Sequence, residues 1–267
     1  MDDSLSSWLS LREAADAGAR SVTLTDAIAR SLADRPEPLR LLDLATGTGS
    51  NIRYLAPRLP RPQEWLAIDR DPALLAEIKM PTAGCRVDTR RLELGPLDDP
   101  GIFTGRHLVT ASALLDLVSE NWIRRLAAQC RASESTLLFV LTYNGRSRCL
   151  PEEPEDAVVR DLMNRHQRRN DKGFGQAAGP DAVDCVVRCL TAAGYQVRRE
   201  PSDWVLTPDT PDLQRQLIKG WAQAAAEVAP ELSSTIHDWL VRRLAHLAAY
   251  RSHVVVGHDD VAAWLPA

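Results

Sequence analysis

The stretch "LRLLDLATGTGSNIRYL", residues 39 to 55, constrains this chain more than any other. Aliphatic residues without polar alternation form the pattern of a strand covered on both faces of a parallel sheet. The run carries an aspartate, Asp43, into a loop of small residues and then into a helix-forming segment. Gly47 and Gly49 supply the freedom needed where φ must be positive or where a Cβ would collide with a ligand. The next apolar strand, "EWLAIDR" (64 to 70), ends on a second acid, Asp69, 20 residues after Gly49. An acid at that place can accept hydrogen bonds from both hydroxyls of a ribose. The spacing predicts a nucleotide held at the carboxyl edge of a sheet.

The rest of the chain extends the same alternation. Strand patterns fall in "GCRVDTRRLEL" (84 to 94), "RHLVTASALLDLV" (106 to 118), "TLLFVLTYN" (136 to 144), "QVRREPSDWVL" (196 to 206) and "SHVVVGHDD" (252 to 260). Helix patterns lie between them: Asn51 to Leu59, a segment opened by the N-cap and N1 pair Asp71-Pro72, "NWIRRLAAQCRA" (121 to 132), "PEDAVVRDLMNRHQRR" (154 to 169) and "DAVDCVVRCLTAAGY" (181 to 195). Strands alternating with helices of this length give βαβ units and a doubly wound sheet. Two helices precede the first strand, one with Trp8, Leu11, Ala15 and Ala19 on its apolar face and one opening after Thr25. Two more fill residues 212 to 250.

Composition narrows the class. A length of 267 residues with 45% hydrophobic content suits one large α/β domain with additions. A formal net charge of −4 speaks against holding nucleic acid by bulk electrostatics. Five cysteines at scattered positions, without C-x-x-C or His-rich spacing, suggest neither a disulfide framework nor a metal site. The amino terminus lacks a basic start and an apolar core, and no apolar run approaches the roughly 20 residues of a membrane span. A cytoplasmic protein without membrane contact is expected.

Two nucleotides could suit the opening loop. A dinucleotide site uses G-x-G-x-x-G to seat a pyrophosphate on a helix N-terminus, and in "GTGSNI" Ile52 stands where the third glycine belongs. The acid before the glycines gives the other answer. D-x-A-x-G-x-G, followed by "WLAIDRDPALL", resembles the first two motifs of the class I methyltransferases that use S-adenosylmethionine (SAM). The resemblance spans residues 40 to 206 and 251 to 266.

It implies a seven-stranded, mostly parallel Rossmann-like sheet whose last strand is antiparallel. The corresponding organisation is a helical cap over residues 1–38, a SAM-binding core over 39–206, a helical insertion over 207–250 and a final core strand in 251–267. Carried onto this chain, it puts Asp43 near the methionine end of SAM, the backbone of Ala45, Thr46, Gly47 and Gly49 beneath it, Asp69 on the ribose and Arg70 beside the adenine. Asp88 and Thr89 stand after the third strand, where the family has its adenine contact. Ala111, Ser112 and Leu114 match the fourth motif that lines the pocket. Ala45 replaces the usual first glycine, and His107 stands where many members have aspartate and reads as a strand-edge residue.

The methyl acceptor is not named by these motifs. The fourth motif lacks the N/D-P-P-Y/F sequence of base-amino methylation, and no aromatic run with interleaved basic residues suggests RNA stacking. The segments after strands five and six leave from the ligand-binding edge, and the N-terminal helices can fold over it. Within them "NRHQRRNDKGFG" (164 to 175) gathers Arg165, His166, Arg168, Arg169 and Lys172 before Phe174, which sits between two glycines. This reads either as an electropositive wall for an acidic small molecule, with His166 a base and Phe174 on a hinged loop, or as a solvated helix end. Tyr143, paired with His166 as a catalytic candidate, and Asn144 lie at the tip of strand five. Arg12, with Arg20, lies on the N-terminal helices. Trp221, Trp239 and His237 read as core, as do Trp8, Cys185 and Cys189. The expected activity is methyl transfer from SAM to a small, acidic metabolite. An RNA or protein methyltransferase and a non-catalytic SAM-binding module are the alternatives, and the oligomeric state stays open.

Overall fold

A computed structural model of the chain describes residues 5–79, 83–95, 97–169, 171 and 173–266. The first half is laid down as helices α1 (Leu5–Ala19) and α2 (Val22–Leu32), then β1 (Leu39–Leu44), α3 (Ser50–Leu55), β2 (Gln63–Asp69), α4 (Pro72–Ala76), β3 (Cys85–Arg91) and β4 (Leu108–Ser112). The second half continues with α5 (Glu120–Ala132), β5 (Thr136–Leu150), α6 (Asp156–Arg169), α7 (Ala182–Ala192), β6 (Gln196–Pro201), β7 (Trp204–Leu206), α8 (Pro211–Val228), α9 (Ser233–Ala248) and β8 (His253–Trp264).

The strands form one sheet in the order β3-β2-β1-β4-β5-β8-β6, with β7 also paired to β8. Strands β1 to β5 are mutually parallel, and β8 runs antiparallel to β5 and β6, so β6 shares the direction of β5. The doubly wound sheet with an antiparallel last strand is as expected from sequence. It has eight strands rather than seven because the segment read as one strand over 196–206 is interrupted at Ser202 and Asp203. The register is unbroken across the gap, Pro201 opposing Asp259 and Trp204 opposing Val256. Strand β5 outruns its expected end at Asn144 because the long β8 continues to pair with it to Leu150.

Side-chain alternation places Leu41 in one core cluster and Leu42 and Leu44 in the other, one cluster per face of the sheet. Helix α2 belongs to the first of these layers: Leu24, Ile28 and Leu32, spaced by four, are fully buried. The N-terminal pair therefore divides, α2 packing as a core helix and α1 lying over the ligand edge. Helix α2 also begins earlier than Thr25, at Val22, because Ser21 caps it and accepts the Leu24 amide at 3.2 Å.

In the insertion, Trp239 is buried as expected and donates through its indole N–H to Asp156 Oδ1 at 2.8 Å, tying α9 to the start of α6. His237 is exposed rather than core, since it sits on the opposite side of α9 from Ile236 and Trp239. All five cysteines are buried and unpaired, Cys185 and Cys189 being one helical turn apart with their sulfurs at 4.0 Å. Among the described residues no helix is long and apolar enough to cross a membrane.

Candidate active site

The order of strands reverses between β1 and β4, and open α/β sheets bind ligands outside the carboxyl ends of the strands at such a switch point. A cavity of about 790 Å³ lies there. Its floor is the loop after β1. Gly47 (φ +56°) is in the left-handed region that favours glycine, and an added Cβ would sit tightly, 3.0 Å from the Leu9 side chain. Ala45 (φ +52°) adopts the left-handed conformation without glycine's freedom, as do Ala113 (φ +50°) and Leu141 (φ +54°), which also line the cavity. Three strained backbone positions, at the ends of β1 and β4 and within β5, thus border the cavity.

Two carboxylates organise this floor. Asp43 is wholly buried; Thr46 Oγ1 donates to its Oδ2 and Asn51 Nδ2 to its Oδ1, both at 2.6 Å. Asn51 in turn accepts from buried Arg20 Nη1 at 2.9 Å. Burial pushes the Asp43 carboxyl up to about 6, against the opposing pull of the Thr46 and Asn51 donors and the Arg20 charge. Asp69 accepts from the Gly47 amide at 2.8 Å through Oδ2 and from the Asp71 amide at 3.0 Å through Oδ1. Each oxygen retains a second lone pair at the cavity wall.

The structure brings Asp43, Ala45, Thr46, Gly47, Asp69, Arg70, Ser112 and Leu114 together around the cavity. Four other candidates do not line it. Gly49 (φ +81°) instead turns the chain into α3 as its N-cap. Ala111 is buried on the core side of β4. Asp88 and Thr89 are exposed within β3, Asp88 facing Arg86 at 3.2 Å, because that strand continues to Arg91 opposite Asp69. Leu92, Glu93 and Leu94 therefore follow the strand and take the lining position. The strand pattern over 84–94 includes "LEL", whereas β3 ends at Arg91; Asp88 and Thr89 fall inside the strand and not after it.

The remainder of the cavity is roofed by α1, α6 and α8. Of fourteen Trp, Tyr and Phe residues in the chain, five line it: Trp8, Tyr143, Phe174, Trp204 and Trp221. Sequence periodicity assigned Trp8 and Trp221 to the core and gave no sign of Trp204, Met163, Gln167 or His258, which reach the cavity only through folding. Tyr143 donates its hydroxyl to Asn164 Oδ1 at 2.8 Å, and burial raises its phenol pKa, so it stays protonated. Arg12 lines the cavity with its Nε on Asp16 Oδ2 at 2.8 Å and its guanidinium 5.3 Å from the Trp204 ring centre.

The basic segment does not assemble into a wall. Arg165 is exposed and off the cavity, Arg168 is paired with Asp181 at 2.9 Å, and Lys172 falls outside the described residues. His166 does reach the rim, where its Nε2 lies 2.8 Å from Glu227 Oε2. Asn144 points away, donating to Asp259 Oδ2 at 2.6 Å and accepting from Arg146. Phe174 lines the cavity edge-on to Trp122, with ring centres 5.7 Å apart. Its loop is pinned rather than hinged, since Asp171 Oδ1 accepts from the amides of Gly173 and Gly175 at 2.8 and 3.0 Å. The cavity's ionisable lining is mainly acidic, with Asp16, Asp43, Asp69, Asp71, Glu93 and Asp116 against Arg12 and Arg70. Such a lining favours a cationic ligand over an anionic one.

No family model matches this sequence, and no curated protein does. Solved structures do. The chain is similar to a cyclopropane-fatty-acyl-phospholipid synthase-like protein from Lactobacillus casei, 14% identical with a TM-score of 0.55 over 94% of this chain and 92% of that one. It is similar to the mycolic acid cyclopropane synthase CmaA1 complexed with SAH and CTAB, at 10% identity and a TM-score of 0.51 over 91% and 83% of the two chains. A protein from Bacillus halodurans, assigned provisionally as a methyltransferase, matches at 14% identity and a TM-score of 0.50 over 91% and 99%. At these identities the likeness establishes a shared fold, the Rossmann-like architecture of SAM-dependent methyltransferases.

Proposed function

We propose that this chain is a SAM-dependent methyltransferase acting on a small metabolite. The observation that carries the reading is the convergence of Asp43, the Ala45–Gly47 turn and Asp69 on one cavity at the sheet's switch point. When bound, SAM supplies a methyl group on a positively charged sulfur. The residues of this chain suit that ligand. The second lone pairs of Asp69 accept from the ribose hydroxyls, while Arg70 and the Leu92–Leu94 segment flank the adenine. Asp43 and the Ser112–Leu114 turn lie toward the methionine end. A dinucleotide is disfavoured because Ile52, buried in the core, stands in place of the third glycine.

The acceptor half is built to hold and orient. Holding two reactants in line replaces a bimolecular encounter, so a shaped compartment next to the methyl group is itself a catalytic device. The acid group expected on the acceptor loses support, because Arg165, Arg168 and Arg169 do not line the cavity. An acceptor with a largely apolar body fits the aromatic walls better. Enclosure beneath α1, α6 and α8 favours a small molecule over RNA or protein. The aromatic walls that face the cofactor floor across the cavity are unnecessary for a mere SAM-binding module. Incubation with SAM and pooled small metabolites, read as release of S-adenosylhomocysteine (SAH), tests the reading: turnover supports it, and SAM binding without turnover on any pool favours the binding module.

A further inference from the structure

We propose that His258 is an acceptor-binding residue, whose imidazole hydrogen-bonds an uncharged O–H or N–H carried on an aromatic acceptor. This rests on the methyltransferase reading of the same cavity. His258 lies on β8, directly opposite Tyr143 in the β5–β8 ladder, and its ring is held between two aromatic neighbours. The Tyr143 ring centre is 6.1 Å away at 68° and that of Trp204 5.1 Å away at 52°. Its backbone is fixed as well, since its amide donates to Asp203 Oδ1 and its carbonyl accepts from Ser202, both at 3.0 Å.

The imidazole so positioned is 7% exposed and lines the cavity, yet its Nδ1 has no hydrogen-bond partner. Nδ1 has no accessible surface, so the ring nitrogen that a ligand in the cavity can meet is Nε2, on an imidazole whose other edge is closed in by protein. Of the other polar groups that line the cavity, three are engaged within the protein, while Gln167 Oε1 on α6 is, like His258 Nδ1, buried without a partner. The Tyr143 hydroxyl is given to Asn164, His166 faces Glu227 at the rim, and Arg12 faces Asp16.

The charged and titratable groups around His258 keep it neutral. Burial and the Arg12 charge on α1 lower its pKa to about 3, against the Val256 carbonyl and Asp259 on its own strand. Asp203 is occupied by the His258 amide, Asp16 by Arg12 and the Trp204 indole, and the Tyr143 phenol is held protonated. A ring that remains uncharged across the physiological range recognises a neutral protic group, and the Trp204 indole and Tyr143 phenol about it recognise a flat apolar body. A site built to hydrogen-bond a ligand hydroxyl discriminates strongly against the analogue that lacks it.

The test uses 2-naphthol and 2-fluoronaphthalene, near-isosteres with and without the O–H, titrated into the SAH-loaded full chain and followed by NMR line broadening. Wild type is expected to bind 2-naphthol at least tenfold more tightly than 2-fluoronaphthalene, with no change in that ratio from pH 5 to 8. His258→Leu is expected to bring the two probes within twofold of each other, and His258→Gln, which keeps a hydrogen-bonding group, to restore part of the preference. Equal binding of the probes by wild type, binding of neither, or a preference that survives His258→Leu overturns the proposal. SAM affinity measured on the same samples separates the two levels: absence of SAM binding by wild type defeats the methyltransferase reading itself. Thermal melting of each variant identifies any loss due to unfolding, and in that case the wild-type probe ratio decides.

Discussion

The Gly47 amide donates to the Asp69 carboxylate at 2.8 Å, so the acid at the end of β2 holds in place the glycine turn at the end of β1. The two features that marked the sequence as nucleotide-binding are thus one mechanical unit. Asp69 braces the loop through Oδ2 and accepts the Asp71 amide through Oδ1, which leaves one lone pair on each oxygen at the cavity wall. Asp69→Ala is expected to weaken SAM binding by about 1 to 3 kcal/mol, the range for stranding buried polar partners. Asp69→Asn, which retains an acceptor for Gly47, is expected to lose less. Calorimetric titration of both variants checks the order; equal affinity in all three proteins would remove Asp69 from the site.

Asp43 should make SAM binding depend on pH. Its carboxyl, raised to about 6 by burial, is protonated below that value and ionised above it. A cationic ligand favours the ionised form, so affinity is expected to fall as pH drops below about 6, approaching a tenfold loss per unit, and to level off above it. Asp43→Asn is expected to bind weakly with no inflection in this window. The Arg20 charge lowers the Asp43 pKa, so Arg20→Met should move the midpoint upward. Calorimetry from pH 5 to 8 reads all three.

Ala45 stands in the left-handed region at φ +52°. A residue with a Cβ costs roughly 1 to 2 kcal/mol there, whereas glycine does not, though glycine loses more chain entropy on folding. Ala45→Gly is therefore expected to stabilise the protein by about 0.5 to 1 kcal/mol in urea unfolding. A destabilised variant would contradict the assigned conformation.

Arg165 lies outside the cavity and Trp221 lines it. Arg165→Ala is expected to leave SAM affinity and turnover near wild type. Trp221→Ala is expected to impair turnover while SAM affinity stays within about threefold, because only the acceptor compartment loses a wall. Steady-state kinetics on an acceptor found by SAH release distinguishes the two, and the reverse ranking would reinstate the basic segment.

How much of this was legible beforehand follows from the range of each interaction. The sheet, its switch point and the β1–β2 half of the site are written in contiguous segments, where strand, acid and glycines occur within about thirty residues. The lining after β3 falls on Leu92–Leu94 and not on Asp88 and Thr89 because a strand's extent is set by its partner: β3 continues until it has Asp69 across the ladder. The acceptor compartment was largely invisible. His258 sits in "VVVGHDD" with no motif about it, and it meets Tyr143 and Trp204 only through pairing across 115 and 54 positions of chain. Local charge density misled in the opposite direction, since the cations of α6 turn toward Asp181 and solvent.

Direct titration of the wild-type chain with SAM, with SAH and NAD as competitors, tests the central claim most directly. Saturable one-to-one binding of SAM, displaced by SAH and unaffected by NAD, is the predicted result. No heat with SAM, or binding of NAD in its place, would contradict it.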